Sequence, residues 1–198
     1  FDNVVFGDEL NSGSAFEQAN VENSTIQTAF TLNDANDGKY DTVEFVTSVT
    51  IAASLDQTKL ENLTFNGTVE IAGSNLAVAI SGASFNGDVT IEDSDDTLTL
   101  RENVNASGVA FLGAGTLALG TNANVVGGTL NTDDTAGTLD VAATNVTLSG
   151  FTIATNAAID FINSIGAATL NIVGDLEIIS GSTLVIVNNE DGQAKSIV

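Results

Sequence analysis

The chain contains no cysteine, histidine, methionine, proline or tryptophan, and Tyr40 is its one tyrosine. Lack of cysteine excludes a disulfide framework, thiol chemistry and thiolate zinc sites. Lack of histidine removes the commonest metal ligand and general base. Cations are scarce too: Lys39, Lys59, Arg101 and Lys195 stand against 26 Asp and Glu, a formal charge of -22 over 198 residues. Such a field repels nucleic acid and anionic membranes, which makes both poor partners, and it draws in cations. No apolar run is long enough to cross a membrane as a helix. The chain starts at Phe1 rather than methionine, as either a cleaved mature terminus or the edge of an excised piece would. A removed secretory signal fits the first reading, and with it an extracellular or cell-surface location.

Apolar residues make up 43% of the chain against 15% charged, so the acidity does not imply disorder. Those apolar residues repeat. "FVTSVTIAASLDQTKLENLT" (45–64), "FNGTVEIAGSNLAVAISGAS" (65–84) and "FNGDVTIEDSDDTLTLRENV" (85–104) share one register. Phe45, Phe65 and Phe85 align, as do Val49, Val69, Val89 and Val109, followed two places on by Ile51, Ile71, Ile91 and Phe111. A second column holds Leu60, Ile80, Leu100, Leu119, Val141 and Phe161, and a third holds Val78, Leu98, Leu117, Leu139 and Ile159. The segments starting at Phe151 and Leu170 read as later copies of the first strand, and Leu63 to Phe65 and Val146 to Leu148 as a further short strand. Within each repeat apolar and polar residues alternate, the pattern of short, half-buried strands.

Strands this short, three to each ~20-residue repeat, cannot close cores as hairpins. They suit an all-β, single-stranded, right-handed parallel β-helix (a β-solenoid), in which each strand pairs with its equivalent in the next coil. About seven coils spaced ~4.8 Å apart give a rod ~34 Å long. Turn residues then stack as well, Asn75 near Asp95, and Asn103, Asn124 and Asn145 at similar turns, where side-chain amides in register can bond along the rod. An antiparallel sandwich explains the alternation but not the recurrence of residue type at a spacing of twenty.

The ends differ from the middle. Residues 1–22 read as an N-terminal arm or edge strand, 23–44 as a capping helix and the first strand, 45–187 as the coils, and 188–198 as a tail. Asn23 or Ser24 can cap the helix, with Ile26, Ala29 and Phe30 on one side of it. Ile26-Gln27-Thr28-Ala29 followed by Asp41-Thr42-Val43 resembles the start of pectate-lyase-like parallel β-helix domains, where a helix of I-Q-x-A type precedes Gly-Asp-Thr-Ile and the first coil. The resemblance extends over residues 24–187 and implies a repeat protein of the cell surface, of the adhesin or autotransporter-passenger type. The enzymatic motifs of that group are missing here: no histidine, no Gly-His-Gly and no Arg-Ile-Lys element.

Candidate chemistry is therefore sparse, and the expectation is that the chain is not an enzyme. Asp95-Asp96 and Asp133-Asp134 are paired carboxylates, but adjacent Asp residues in turns more often cap backbone amides than form an acid and base across a cleft. No cofactor is required on this reading; calcium is the one candidate. Its ligands would be hard oxygens in three turns: Asp34, Asp37 and Asp41 in "DANDGKYD", Asp93, Asp95 and Asp96 in "EDSDD", and Asp133 and Asp134 in "NTDD". Asn-x-Ser/Thr sequons at Asn23, Asn62, Asn66, Asn105 and Asn145 matter only if the source glycosylates. Open solenoid ends expose strand edges, so copies of the same chain are the expected partner. Val4, Val5 and Phe6 at one end, and Leu184 and Ile186 at the other, are the candidate interface. The expected role is a self-assembling subunit of a surface filament, sheath or layer. The alternative is an adhesin-like or tailspike-like module that attaches to a surface glycan.

Overall fold

The computed structural model describes residues 1–7, 20–33, 38–56, 58–131, 137–143, 146–154, 157–160, 168–178, 184–187 and 195–198. Every strand pairing among them is parallel, each strand bonding to its equivalent one winding away. The chain is a parallel β-solenoid with three faces. Face II is a separate eight-stranded sheet running from Phe30–Leu32 to Glu177–Ile178, eight rungs separated by seven steps. Faces I and III merge into one sixteen-stranded sheet, because Leu60–Phe65, Ala77–Phe85 and Thr97–Asn105 run unbroken around the corner between them.

The interior is built from the columns legible in the sequence. On face I, Phe6, Ile26, Phe45, Phe65 and Phe85 are successive register partners. The Phe45 and Phe65 rings stack at 5.2 Å and 6°, and those of Phe65 and Phe85 at 5.1 Å and 7°. Face III aligns Val78, Leu98, Leu117, Leu139, Ile159 and Ile186. Face II aligns Phe30, Val49, Val69, Val89, Phe111, Leu130, Ile153 and Ile178. Phe30, Phe45, Phe65, Phe85, Phe111 and Phe151 are all buried in one continuous core. Alternation with period two turns the intervening Thr, Glu and Asn outward.

The face II column corrects the expected alignment. Val89 pairs with Phe111 and Ile91 with Gly113, so Val109 is not the partner of Val89. The winding is longer by two residues: one enters at the corner, where the offset passes from 20 at Ser81–Arg101 to 21 at Ala83–Val104, and one in the turn over Ala106–Val109, closed by the Val109 N–H on the Ala106 carbonyl at 3.0 Å. A slip of two keeps the apolar set inside, whereas a slip of one would turn it out. Leu170 is a second correction: it pairs with Val146 on face I rather than continuing the Phe151 strand on face II. Asn145 and Phe161 lie outside the described residues, and Asn124 has Thr147 as its partner.

The capping helix is the third correction. Residues 20–33 contain three strands, Val21–Glu22, Thr25–Ile26 and Phe30–Leu32, and no helix occurs among the described residues. Ile26, Phe30 and Leu32 satisfy a period of two, whereas the helical spacing of Ile26, Ala29 and Phe30 includes an exposed Ala29, and the bend at Gln27–Ala29 absorbs the change of face. Ile26 gains a place in the column between Phe6 and Phe45, which a helix would forfeit. Val5–Phe6 at the start and Lys195–Ile197 at the end both lie in the ladder, against Thr25–Ile26 and Ala168–Leu170. Among the described residues no helix is long and apolar enough to cross a membrane.

Candidate functional site

The corner between faces III and I is the most regular polar feature. Asn3, Asn23, Thr42, Asn62, Gly82 and Glu102 recur there once per winding, all in the left-handed region with φ between 48° and 64°. One residue of positive φ turns the strand without breaking the ladder. Asn and Gly adopt that region at little cost, Thr and Glu at more. The side chains bond along the rod: Asn23 Nδ2 donates to Asp2 Oδ1 and Asn62 Nδ2 to Asp41 Oδ1, both at 3.0 Å. Asp41 also accepts from Lys39 Nζ at 3.1 Å and from the Thr42 hydroxyl, while Lys39 reaches Glu61 at 2.7 Å. The Asn62 bond, with Lys39 and Thr42 adding to it, holds the Asp41 carboxyl below the usual range. Glu61 and Asp41 together raise the Lys39 ammonium above its own. A second ladder runs from Glu44, within its face I strand, to Asn66 and Asn86, each just past the end of its own. A third joins Asn124 Nδ2 to Asn103 Oδ1 at 3.1 Å.

The predicted cation ligands fall into different situations. Asp34, Asp37, Asp133 and Asp134 lie outside the described residues. Asp41 is held by Lys39, as above. Asp95 is exposed, and Asp93 approaches the Ser74 hydroxyl at 3.5 Å. Asp96 is fully buried: Oδ1 accepts the Leu76 N–H at 2.8 Å, and Oδ2 has no hydrogen-bond partner. Its role here is to tie the turn of one winding to the turn before it, as Ser24 does by accepting the Val4 N–H at 3.0 Å. Among the described residues no three acidic side chains converge as a cation cage. One carboxylate contact has no counterpart in the sequence reading, that of Glu92 with Glu70 in the winding before. Sharing a hydrogen bond with Glu70, and the charge beside it, raise the Glu92 carboxyl above its ordinary 4.5. An offset of 22 rather than twenty residues hides the pair from a search at the repeat spacing.

Of the predicted interface residues, Val5 is 63% exposed on its outward side, Phe6 is half-buried with its ring 5.4 Å from Phe1, and Val4 is partly buried. Leu184 and Ile186 lie in the strand Leu184–Val187, the last of its face, in register with Ala157 and Ile159. The outward column of face I reads Val5, Thr25, Glu44, Thr64, Ser84, Asn105, Val126, Ser149, Val173. It is apolar at both ends and mostly polar between them.

Among the described residues, two shallow grooves follow the corners. One, of about 410 Å³, is lined by Asn62, Thr64, Ser81, Gly82, Ser84 and Glu102 among others, with Glu102 its one carboxylate. The other, of about 450 Å³, lies over Gly127, Gly128 and Gly150 beside Val126. Comparison with family models, curated proteins and solved structures returns no match, so the β-solenoid class rests on the ladder itself.

Proposed function

We propose that this chain is an extracellular structural protein, a subunit that assembles with copies of itself into a surface filament, sheath or layer. In this reading it is a pectate-lyase-like repeat protein of the adhesin or passenger type, stripped of catalytic motifs. One observation carries the proposal: the first and last windings present apolar side chains to solvent, Phe1 and Val5 at one end and Val173, Ile178 and Val198 at the other. A strand edge offers main-chain hydrogen bonds to an incoming strand, and an apolar flank adds water exclusion. The rung Val5–Phe6 has one strand neighbour among the described residues, Thr25–Ile26. A second copy, seated with its last face I rung, Lys195–Ile197, against that strand, would continue the face I ladder across the joint. Divalent cations such as calcium would offset repulsion between copies that each carry a charge of -22.

Electron microscopy and sedimentation of the purified chain test this, with and without calcium. Val5→Lys places a charge on the exposed edge and leaves the core alone. Polymers that vanish in this variant, at an unchanged unfolding midpoint, support the joint. Polymers that persist, or a wild-type chain that stays monomeric throughout, overturn it. The polar groove at Asn62, Ser84 and Glu102 favours a second reading, attachment to a glycan. Binding of the monomer to a glycan array, lost on Ser84→Trp, would support that reading over assembly.

A further inference from the structure

Asparagine is followed by glycine at two places, Asn66–Gly67 and Asn86–Gly87, in adjacent windings of one column. Glycine places no side chain beside its own nitrogen, so this dipeptide is open to deamidation. The glycine nitrogen attacks the Asn Cγ, the new C–N bond closes a succinimide, the Cγ–Nδ2 bond breaks, and ammonia leaves. Water then opens the ring to aspartate or isoaspartate; nothing is oxidised or reduced.

The attack needs a side chain free to swing toward the next nitrogen and a backbone free to follow. The fold restrains the two sites unequally. Asn66 Nδ2 donates to Glu44 Oε1 at 2.7 Å, and Asn66 Oδ1 accepts from Asn86 Nδ2 at 2.8 Å. Asn86 has the second bond alone, and the corresponding turn of the next winding, Ala106–Val109, carries no asparagine to extend the ladder. The backbone adds to the difference. A Cβ on Gly67 would lie 2.3 Å from the Thr47 carbonyl carbon, and one on Gly87 would lie 2.6 Å from that of Gly67. Gly67 is thus stacked between Thr47 and Gly87, while Gly87 rests on Gly67.

We propose that Asn86 is a site of spontaneous deamidation, and that the ladder anchored on Glu44 shields Asn66 from the same reaction. Conversion at Asn86 replaces a donating amide with a carboxylate facing Asn66 Oδ1. The ladder then loses a bond, and Asn66 is the next to react. The modification moves in one direction, toward Glu44.

Incubating the full chain at mildly alkaline pH, with peptide mapping by mass spectrometry, reads both sites separately. In urea the two convert at similar rates. In the folded chain Asn86 leads Asn66 by up to ~10-fold, a ratio equivalent to ~1.4 kcal/mol of barrier. Glu44→Ala raises the Asn66 rate and leaves Asn86 unchanged, and Asn86→Ala also raises the Asn66 rate; unfolding midpoints verify that both variants remain folded. Equal folded rates, Asn66 converting first, or an Asn66 rate indifferent to both variants overturns the proposal.

Discussion

Single polar side chains in this rod act mainly on the backbone of the neighbouring winding, and Asp96 is the clearest case. Removing a buried acceptor strands its donor, so Asp96→Ala should lose ~1–3 kcal/mol in urea unfolding. Asp96→Asn keeps an oxygen for the Leu76 N–H and removes a charge that bears on Glu92, so it should lose less. An Ala variant as stable as wild type would mean that the bond is idle. Thr42 illustrates the opposite situation. A β-branched residue at φ 57° is strained, and its equivalents in the flanking windings are Asn23 and Asn62. Thr42→Asn should therefore gain up to ~1 kcal/mol by relieving left-handed strain. The titrating groups set a pH profile of stability with two limbs. Asp41 is held below its ordinary 3.8 in the fold, so its contribution is present above that pH and is lost as pH falls through the folded value. Glu92 is raised above 4.5, so the fold binds its proton more tightly than the unfolded chain does. Stability should therefore rise as pH falls from the raised value toward 4.5. Denaturant midpoints across acid pH should peak between the limbs; Glu70→Gln should flatten the upper one and Asp41→Asn the lower.

At the scale of the element, each strand buries too little to hold itself, and the columns supply what it lacks. Phe65 lies between two parallel rings at 5.2 and 5.1 Å. Its replacement by Ala should lose ~3–5 kcal/mol through lost burial and the cavity left behind, read from the shift in the urea midpoint. Phe65→Leu should lose distinctly less. Values near ~1 kcal/mol for Ala would mean that the stack relaxes around the gap. These columns are legible in the sequence because each inward position repeats its chemical type at nearly constant spacing, as Val78, Leu98, Leu117, Leu139 and Ile159 do. Legibility ends where that constancy fails. The Glu102 corner and the Ala106–Val109 turn add one residue each, and a spacing of twenty carried past them misassigns Val109. The first winding reads as a helix because Ile26, Ala29 and Phe30 fit a helical spacing while Ile26, Phe30 and Leu32 fit a period of two, and only partners a winding away, Phe6 and Phe45, decide between them. Among the polar sites, Asp96 stands out by composition, yet its part in the fold does not. A carboxylate in an acidic turn looks like a cation ligand until its burial and its Leu76 partner are known. Glu44 gives no sign at all, because nothing in a lone Glu signals that it terminates an amide ladder.

For the whole molecule the opposing terms are a continuous apolar core and the mutual repulsion within a chain of formal charge -22. Salt should therefore stabilise the fold. Raising sodium chloride from low to physiological strength shortens the screening length to ~8 Å, comparable to two rungs of the ladder. Each kcal/mol of repulsion relieved in a chain of this size raises Tm by ~2–4 °C. Calcium separates screening from binding. At matched ionic strength, calcium and sodium chloride should give the same Tm if the acidic surface is only an ion atmosphere. A higher Tm in calcium means a cation held at discrete carboxylates, and loss of that excess in Asp93→Asn with Asp95→Asn assigns it to the Glu92–Asp96 turn. Retention of the excess moves the site to another acidic turn. If calcium drives polymers at the concentration where it raises Tm, neutralisation and assembly are one event, and Val5→Lys should abolish the polymers while leaving the rise in Tm of the monomer intact.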